Sequence, residues 1–260
     1  MRRVALVTGA ARGIGAASVD ELVGAGYQVV AVDRCRDVAG VPYALASPAD
    51  LEAVVARHGD AVVGLVGDVR SRPDMELAVD TAVRHFGQLD AVVATAGVLA
   101  GGGPVWEASD EALEAVWSVN VLGVHRLLSA AAPVLMARGA GAHPRIVAVA
   151  SAAAHQALYH LAAYSAAKQA VVGLVRAAAA DLAPYGVTAN VVSPGSTRTA
   201  MLHASAAVYG LDDVEEFARH QLLGRLLEPV EVARAIAWLC SPASSALTGA
   251  VVPVDGGMSA

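Results

Sequence analysis

The chain is expected to fold as an α/β domain around a doubly wound parallel sheet of seven strands. Three observations lead there. Seven short Val-rich runs recur along the 260 residues, helix-like segments separate them, and a glycine-rich turn joins the first run to the first helix. Each run is continuously apolar rather than alternating, so both faces of each strand are covered, as in a parallel sheet between helical layers. Strands that alternate with helices in this way give the doubly wound (Rossmann) architecture.

The elements follow in order. The first run, "VALVTG", comes after two arginines, a pattern that superficially suggests a secretion signal, but too few apolar residues precede Thr8 and Gly9 for one. It reads as a strand. "YQVVAVD" and "AVVGLVGDV" are the second and third, and Ser71 before "RPDME" marks a helix start with an acidic first turn. "LDAVVATAG" is the fourth strand, and Ser109 before "DEALE" marks another helix start. "RIVAVAS" is the fifth. The segment from Tyr159 to Ala183 is small and apolar nearly all round, so this helix needs cover beyond the sheet, which a subunit interface would supply. "GVTANVVSPG" and "GAVVPVDGG" complete the sheet. No linker-like stretch divides residues 1–260, so one domain is expected.

Composition narrows the class. The chain is 56% hydrophobic and 16% charged, which points to apolar faces buried between subunits and to an oligomer. A net charge of −6 without a basic stripe recommends neither nucleic acid nor an anionic membrane surface as a partner. Residues Ile146 to Ala167 carry no formal charge, but His155, Gln156, Tyr159 and His160 interrupt them, so no membrane span is expected. Cys35 and Cys240 form neither a metal-spaced set nor a disulfide framework, which fits a reducing cytoplasm and offers no metal site.

Chemistry enters with "TGAARGIG", Thr8 to Gly15, where Gly9, Gly13 and Gly15 stand between the first strand and the first helix. Such a turn lets backbone approach a pyrophosphate whose charge rests on the helix N-terminus; a tight turn with no ligand is the plainer reading. Asp33, ending the second strand, supplies a second marker: its carboxylate can accept from a ribose diol and would repel a 2′-phosphate. Arg12 and Arg34 argue the other way, since either guanidinium could pair with that phosphate. The Asp favours NAD over NADP. Of 18 basic side chains, Lys168 is the only lysine, and it stands four residues after Tyr164. On a helix the two share a face, although a surface Lys beside a core Tyr would read the same way.

At this point the chain resembles the short-chain dehydrogenase/reductase family in its short single-domain branch. The resemblance rests on Thr8 to Gly15 (including Ile14), Asp68 and Val69 in "GDV", and "ATAG" ending in Ala96 and Gly97. It continues through Asn120 in "SVN", Ser151, Tyr164 with Lys168, and Pro194 with Gly195. One departure is the family's common Asn-Asn-Ala-Gly, here Ala94-Thr95-Ala96-Gly97. The resemblance implies hydride transfer between a secondary alcohol or its ketone and a nicotinamide cofactor. Tyr164 would be the general base and acid, and Lys168 would lower its pKa and hold the nicotinamide ribose. Ser151 would hold the substrate oxygen, and Asn120 would support a water chain. Thr199 and the backbone of Thr197 would hold the carboxamide, although Thr199 could simply cap the next helix. Residues 199–224 would form the substrate loop, with His203, Tyr209, Phe217 and His220 as candidate neighbours of the substrate. His155, Tyr159, His160 and Trp106 could approach from other loops.

A narrower resemblance comes from the long stretch between Asp33 and Asp68. "GVPYALASPADLEAVV" is similar to an insertion in carveol-dehydrogenase-like and mycofactocin-associated members, as are "SPGSTRTAM" and "HQLLGRLLEP" to segments of the latter. It implies a lid over about residues 35–62, with Val41, Tyr43 and Leu45 covering the adenosine side. It also implies a slowly exchanging cofactor and reoxidation by a peptide-derived redox carrier. A decorative surface loop is the simpler alternative. The C-terminal "VDGGMSA" resembles the family's tetramer-forming end, which implies a homotetramer. A catalytically silent nucleotide-sensing regulator of the same fold, an NADP-dependent ketone reductase with exchanging cofactor, and a sugar-nucleotide epimerase remain as other readings. The first predicts a damaged Ser, Tyr, Lys set. The last predicts TGxxGxxG and a longer C-terminal part.

Overall fold

Buried side chains alternate between two cores along β1 (Val4–Thr8): Val4 and Leu6 face one, Ala5 and Val7 the other. A strand can do this only with helices on both sides. The computed structural model describes residues 2–260 and carries a single parallel sheet of seven strands, ordered β3-β2-β1-β4-β5-β6-β7. The others are β2 (Gln28–Asp33), β3 (Val62–Val66), β4 (Ala91–Ala94), β5 (Arg145–Val149), β6 (Thr188–Pro194) and β7 (Val251–Val254). Every Val-rich run becomes a strand. β1 pairs with β2 in one direction and β4 in the other, so the strand order reverses there. The carboxyl ends of β1 and β4 therefore flank a crevice where ligands bind in open α/β sheets.

One face is covered by α1 (Gly13–Gly24) and α8 (Pro229–Cys240), which pack on each other and add Val19, Leu22, Val232, Ile236 and Leu239 to the core. The opposite face takes α3 (Arg72–Phe86), α5 (Leu122–Arg138) and α6 (Ala162–Leu182), with Met75, Leu127, Leu135, Val171 and Val175 inward. α4 (Asp110–Asn120) packs against α6. The expected caps are present: Ser71 accepts from Asp74 N and Ser109 from Ala112 N. Residues Asp110–Arg138 are long and apolar enough to cross a membrane by length and composition. They are two helices interrupted at Val121, however, and Val119, Val124 and Leu135 lie in the core.

The structure redraws two boundaries. Most of the expected 35–62 lid is ordinary: α2 (Pro48–Ala56), started by a Ser47 and Asp50 capping box, packs on β3. Ahead of it, residues 34–47 form a loop. Residues 199–224 are also more structured than a loop, comprising α7 (Ala200–Tyr209) and a 3-10 turn over Val214–His220. α6 begins after His160, whose left-handed φ of 62° keeps the preceding turn out of the helix. Its solvent side carries Ala166, Gly173, Ala177 and Ala180 together with Gln169, Arg176 and Asp181.

Candidate active site

The glycine turn is tight for steric reasons. Gly9 has φ of 65°, and a Cβ there would lie 2.7 Å from the backbone of Ala96, so the turn after β1 is seated against the turn after β4. A Cβ on Gly15 would collide with the carbonyl oxygen of Gly9. No side chain caps α1, so its first N–H groups face the crevice ready for an anion. Thr95 replaces the family's asparagine by donating to the carbonyl of Thr8, while Ala96 N donates to Thr8 Oγ1 over 3.4 Å. The hydroxyl thus ties β4 to β1.

At the end of β2 the Asp33 carboxylate is fixed by two backbone donors, Ala11 N and Cys35 N, each at 3.1 Å. Both arginines considered as phosphate partners are engaged elsewhere. Arg12 Nη2 donates to the Ala44 carbonyl at 2.9 Å, and Arg34 pairs with Asp68 at 2.9 Å and donates to the carbonyls of Arg36 and Asp37. Burial pushes the Asp68 carboxyl up, but hydrogen bonds and charge from Arg70, with the charge of Arg34, hold it below the usual range. A cavity of about 200 Å³ runs past Gly9, Arg12, Gly13, Ile14, Gly15, Asp33, Arg34, Asp68, Val69, Ala96 and Gly97. The sequence-predicted cofactor residues of this half are therefore brought together.

The loop at 34–47 crosses that cavity. Tyr43 and Leu45 line it, whereas Val41 turns down onto the core beneath, contrary to its expected place in the lid. Tyr43 reaches past the adenosine side: its hydroxyl accepts from Leu99 N at 3.1 Å, and its ring joins Leu99, Leu161 and Tyr164 in one cluster.

A second cavity of about 260 Å³ shares Ile14, Thr95, Gly97, Thr199 and Met201 with the first, so the two form one cleft. It is lined by Ser151, Tyr164, Lys168, Pro194, Gly195 and Thr197, with Leu158, Tyr159, Tyr209 and Phe217 farther out. His220 lines it too. His155, His160, His203 and Trp106 line neither cavity, and His155 instead lies 3.1 Å from Ser193 Oγ. Thr199 caps α7, accepting from Leu202 N and donating to Thr197 O, so the capping role holds and still leaves it in the wall of the cleft. Asn120 clamps Val98 at two points, Oδ1 to N and Nδ2 to O, both 2.8 Å. Its Oδ1 and the Lys168 ammonium both approach Gly97, each 3.3 Å from where a Cβ there would stand.

Tyr164 and Lys168 lie one turn apart on the buried face of α6, and burial dominates the electrostatics of both. Burial pushes the Tyr164 phenol up to about 12, against a lowering contribution from the Ser151 hydroxyl and with a further small rise from Tyr43. Burial likewise brings the Lys168 ammonium down to about 8. Lys168 Nζ donates to the Val149 carbonyl at 2.9 Å and stands 5.6 Å from the Tyr164 ring centroid, with no hydrogen bond to the phenol. The phenol instead donates to Met201 Sδ at 3.7 Å. Neither Met201 beside Tyr164 nor the reach of Tyr43 to Leu99 was evident from the sequence, although Met201 sits in the quoted "TRTAM".

Residues 9–259 match a family profile described as enoyl-(acyl carrier protein) reductase. An uncharacterized oxidoreductase of Mycobacterium tuberculosis is 37% identical across 98% of this chain and 95% of its own length. An uncharacterized NAD-dependent oxidoreductase of the same species is 36% identical over the same shares. Among solved structures, carveol dehydrogenase from Mycobacterium avium in complex with NAD superposes with a TM-score of 0.92. It is 29% identical and covers 98% of this chain and 97% of that one.

Proposed function

Since the chain belongs to the short-chain dehydrogenase/reductase family and is an oxidoreductase, we propose that it interconverts an apolar secondary alcohol of moderate size and its ketone, using NAD. The observation that carries this reading is the convergence of Ser151, Tyr164 and Lys168 where the two cavities join. When bound, NAD supplies the carbon that accepts or returns hydride. The protein's own residues do the rest. Ser151 holds the substrate oxygen, and Tyr164 takes or gives the hydroxyl proton at its phenolic oxygen. Lys168, fixed by Val149, contributes the nearby positive charge that a phenolate needs. The apolar wall excludes water from the reacting atoms.

NAD is favoured over NADP because Asp33 occupies the ribose end while Arg12 and Arg34 are held by Ala44 and Asp68. The substrate reading draws support from the apolar lining and from the likeness to carveol dehydrogenase. A silent nucleotide sensor is disfavoured by the intact Ser, Tyr, Lys set. Tight cofactor retention, with reoxidation by a peptide-derived carrier, is supported by the loop at 34–47, which is hydrogen-bonded on both banks of the cleft through Ala44 and Tyr43. The exposed small residues Ala166, Gly173, Ala177 and Ala180 on α6 and the C-terminal tail support a homotetramer, and a monomer in sedimentation at micromolar concentration would refute it. The deciding experiment purifies the protein without added nucleotide, releases bound material with acid, and identifies it by mass spectrometry. Near-stoichiometric NAD or NADH is expected. An empty supernatant would instead assign a conventional enzyme with exchanging cofactor, to be assayed with free NAD, and NADP in its place would overturn the Asp33 argument.

A further inference from the structure

The catalytic phenol does not point into open space. Its proton is donated to the thioether of Met201 at 3.7 Å, so that sulfur occupies ground beside the atom that must later bond the substrate oxygen. Met201 lies in the first turn of α7, directly after the Thr199 cap, which ties its position to the segment walling the nicotinamide end. It lines both cavities, whereas Tyr159, Tyr209 and Phe217 line only the outer one. A substrate that reaches Tyr164 therefore has two unequal sides. One side opens toward the wide aromatic and aliphatic wall, and the other is bounded by Met201.

On the reading given above, we propose that Met201 is the specificity-determining residue at the reacting carbon. It holds the place of the substrate oxygen in the resting protein. On binding, the substrate takes the phenol's hydrogen bond and the thioether swings aside to pack against the smaller substituent. The substrate class is thus secondary alcohols and ketones with one bulky apolar arm and one small arm. An unbranched thioether suits the task, because its three rotatable bonds let it leave the phenol and still fill the remaining space. A β-branched side chain, stiff at χ1, would block the oxygen or leave a void.

The test compares cyclohexyl methyl ketone with cyclohexyl ethyl ketone, which differ by one methylene on the small arm. Each is offered to protein loaded with NADH, and single-turnover loss of nicotinamide fluorescence is followed. Wild type should prefer the methyl ketone by about tenfold, the range in which one methylene is read in an apolar pocket. Met201→Ala should erase or invert that preference, and Met201→Leu, which conserves volume, should keep it. A Met201→Ala protein that turns over with the wild-type ratio, or a Met201→Leu protein that loses the preference as fully, overturns the proposal and leaves the enzyme reading intact. If wild type reduces neither ketone, that reading suffers instead. The same ratio is then taken from binding constants by ligand-observed NMR, and an unchanged ratio in Met201→Ala again overturns the proposal.

Discussion

The two ends of the cleft are built differently. The cofactor end is made of backbone: a glycine turn jammed against Ala96, the bare N-terminus of α1, and Asp33 held by two N–H groups. The substrate end is made of side chains on a short helix and a 3-10 turn, in contact through Met201, Tyr209 and Phe217. Backbone geometry tolerates no substitution that adds a Cβ in the wrong place, while side-chain packing can be rearranged. The first end is suited to a constant ligand and the second to a variable one.

Substitutions can break this contrast or sharpen it. The largest effect belongs to the junction. Tyr164→Phe should lower kcat by about 10³-fold, within the usual range for a general acid or base, and leave nucleotide binding unchanged by calorimetry. In the wild type, the raised phenol makes alcohol oxidation, which needs the phenolate, climb as pH rises above neutral. Ketone reduction, which needs the protonated phenol, should hold its rate through neutral pH. Next comes Gly9→Ala. With φ of 65° and a contact of 2.7 Å to Ala96, it should destabilise the fold by about 3 kcal/mol in denaturant titration and weaken nucleotide binding with it.

Lys168→Met should act in the opposite sense on stability. The folded-state pKa of Lys168, about 8, lies below its ordinary value of 10.5, so the ammonium carries a burial penalty. That penalty is fully present below pH 8 and fades as pH rises to about 10.5. The variant, stripped of nucleotide, should therefore melt higher than wild type at pH 7 by an amount on the order of 1–3 kcal/mol, and the gain should vanish at alkaline pH while turnover is lost. A smaller effect is expected for Tyr43→Phe. Losing one acceptor for Leu99 N is worth about 1 kcal/mol, which stopped-flow fluorescence should read as roughly fivefold faster nucleotide release. The smallest is Gly210→Ala in the substrate end. Its φ of 63° matches that of Gly9, but nothing stands within 4 Å of a Cβ there, so only backbone strain of about 1 kcal/mol remains. Equal losses from Gly9→Ala and Gly210→Ala would erase the distinction between the two ends.

The sequence made one end of the cleft more legible than the other for the same physical reason. Strands, caps and the glycine turn depend on near neighbours and on periodicity, so Val4–Thr8, Ser71, Ser109 and Asp33 could be read directly. Contacts between distant side chains leave no such trace. Tyr43 finds Leu99 across a cleft, and Met201 finds Tyr164 only because α7 folds over α6. The bond from Lys168 to Val149 depends on how deeply α6 is sunk against β5, which residue spacing does not encode. Within the expected lid, "SPADLEAVV" was read as inserted text, and its Ser47 capping box starts α2.

The solitary lysine has a practical consequence. An endoproteinase specific for lysine has one bond to cut in the whole chain, after Lys168, and that residue is only 4% exposed in the middle of α6. The folded protein should therefore resist it, and every cleavage event reports the opening of that one helix. Two fragments accumulating on a gel give its opening equilibrium without label or engineered site, and a bound ligand that stiffens the catalytic helix announces itself as a slower cut.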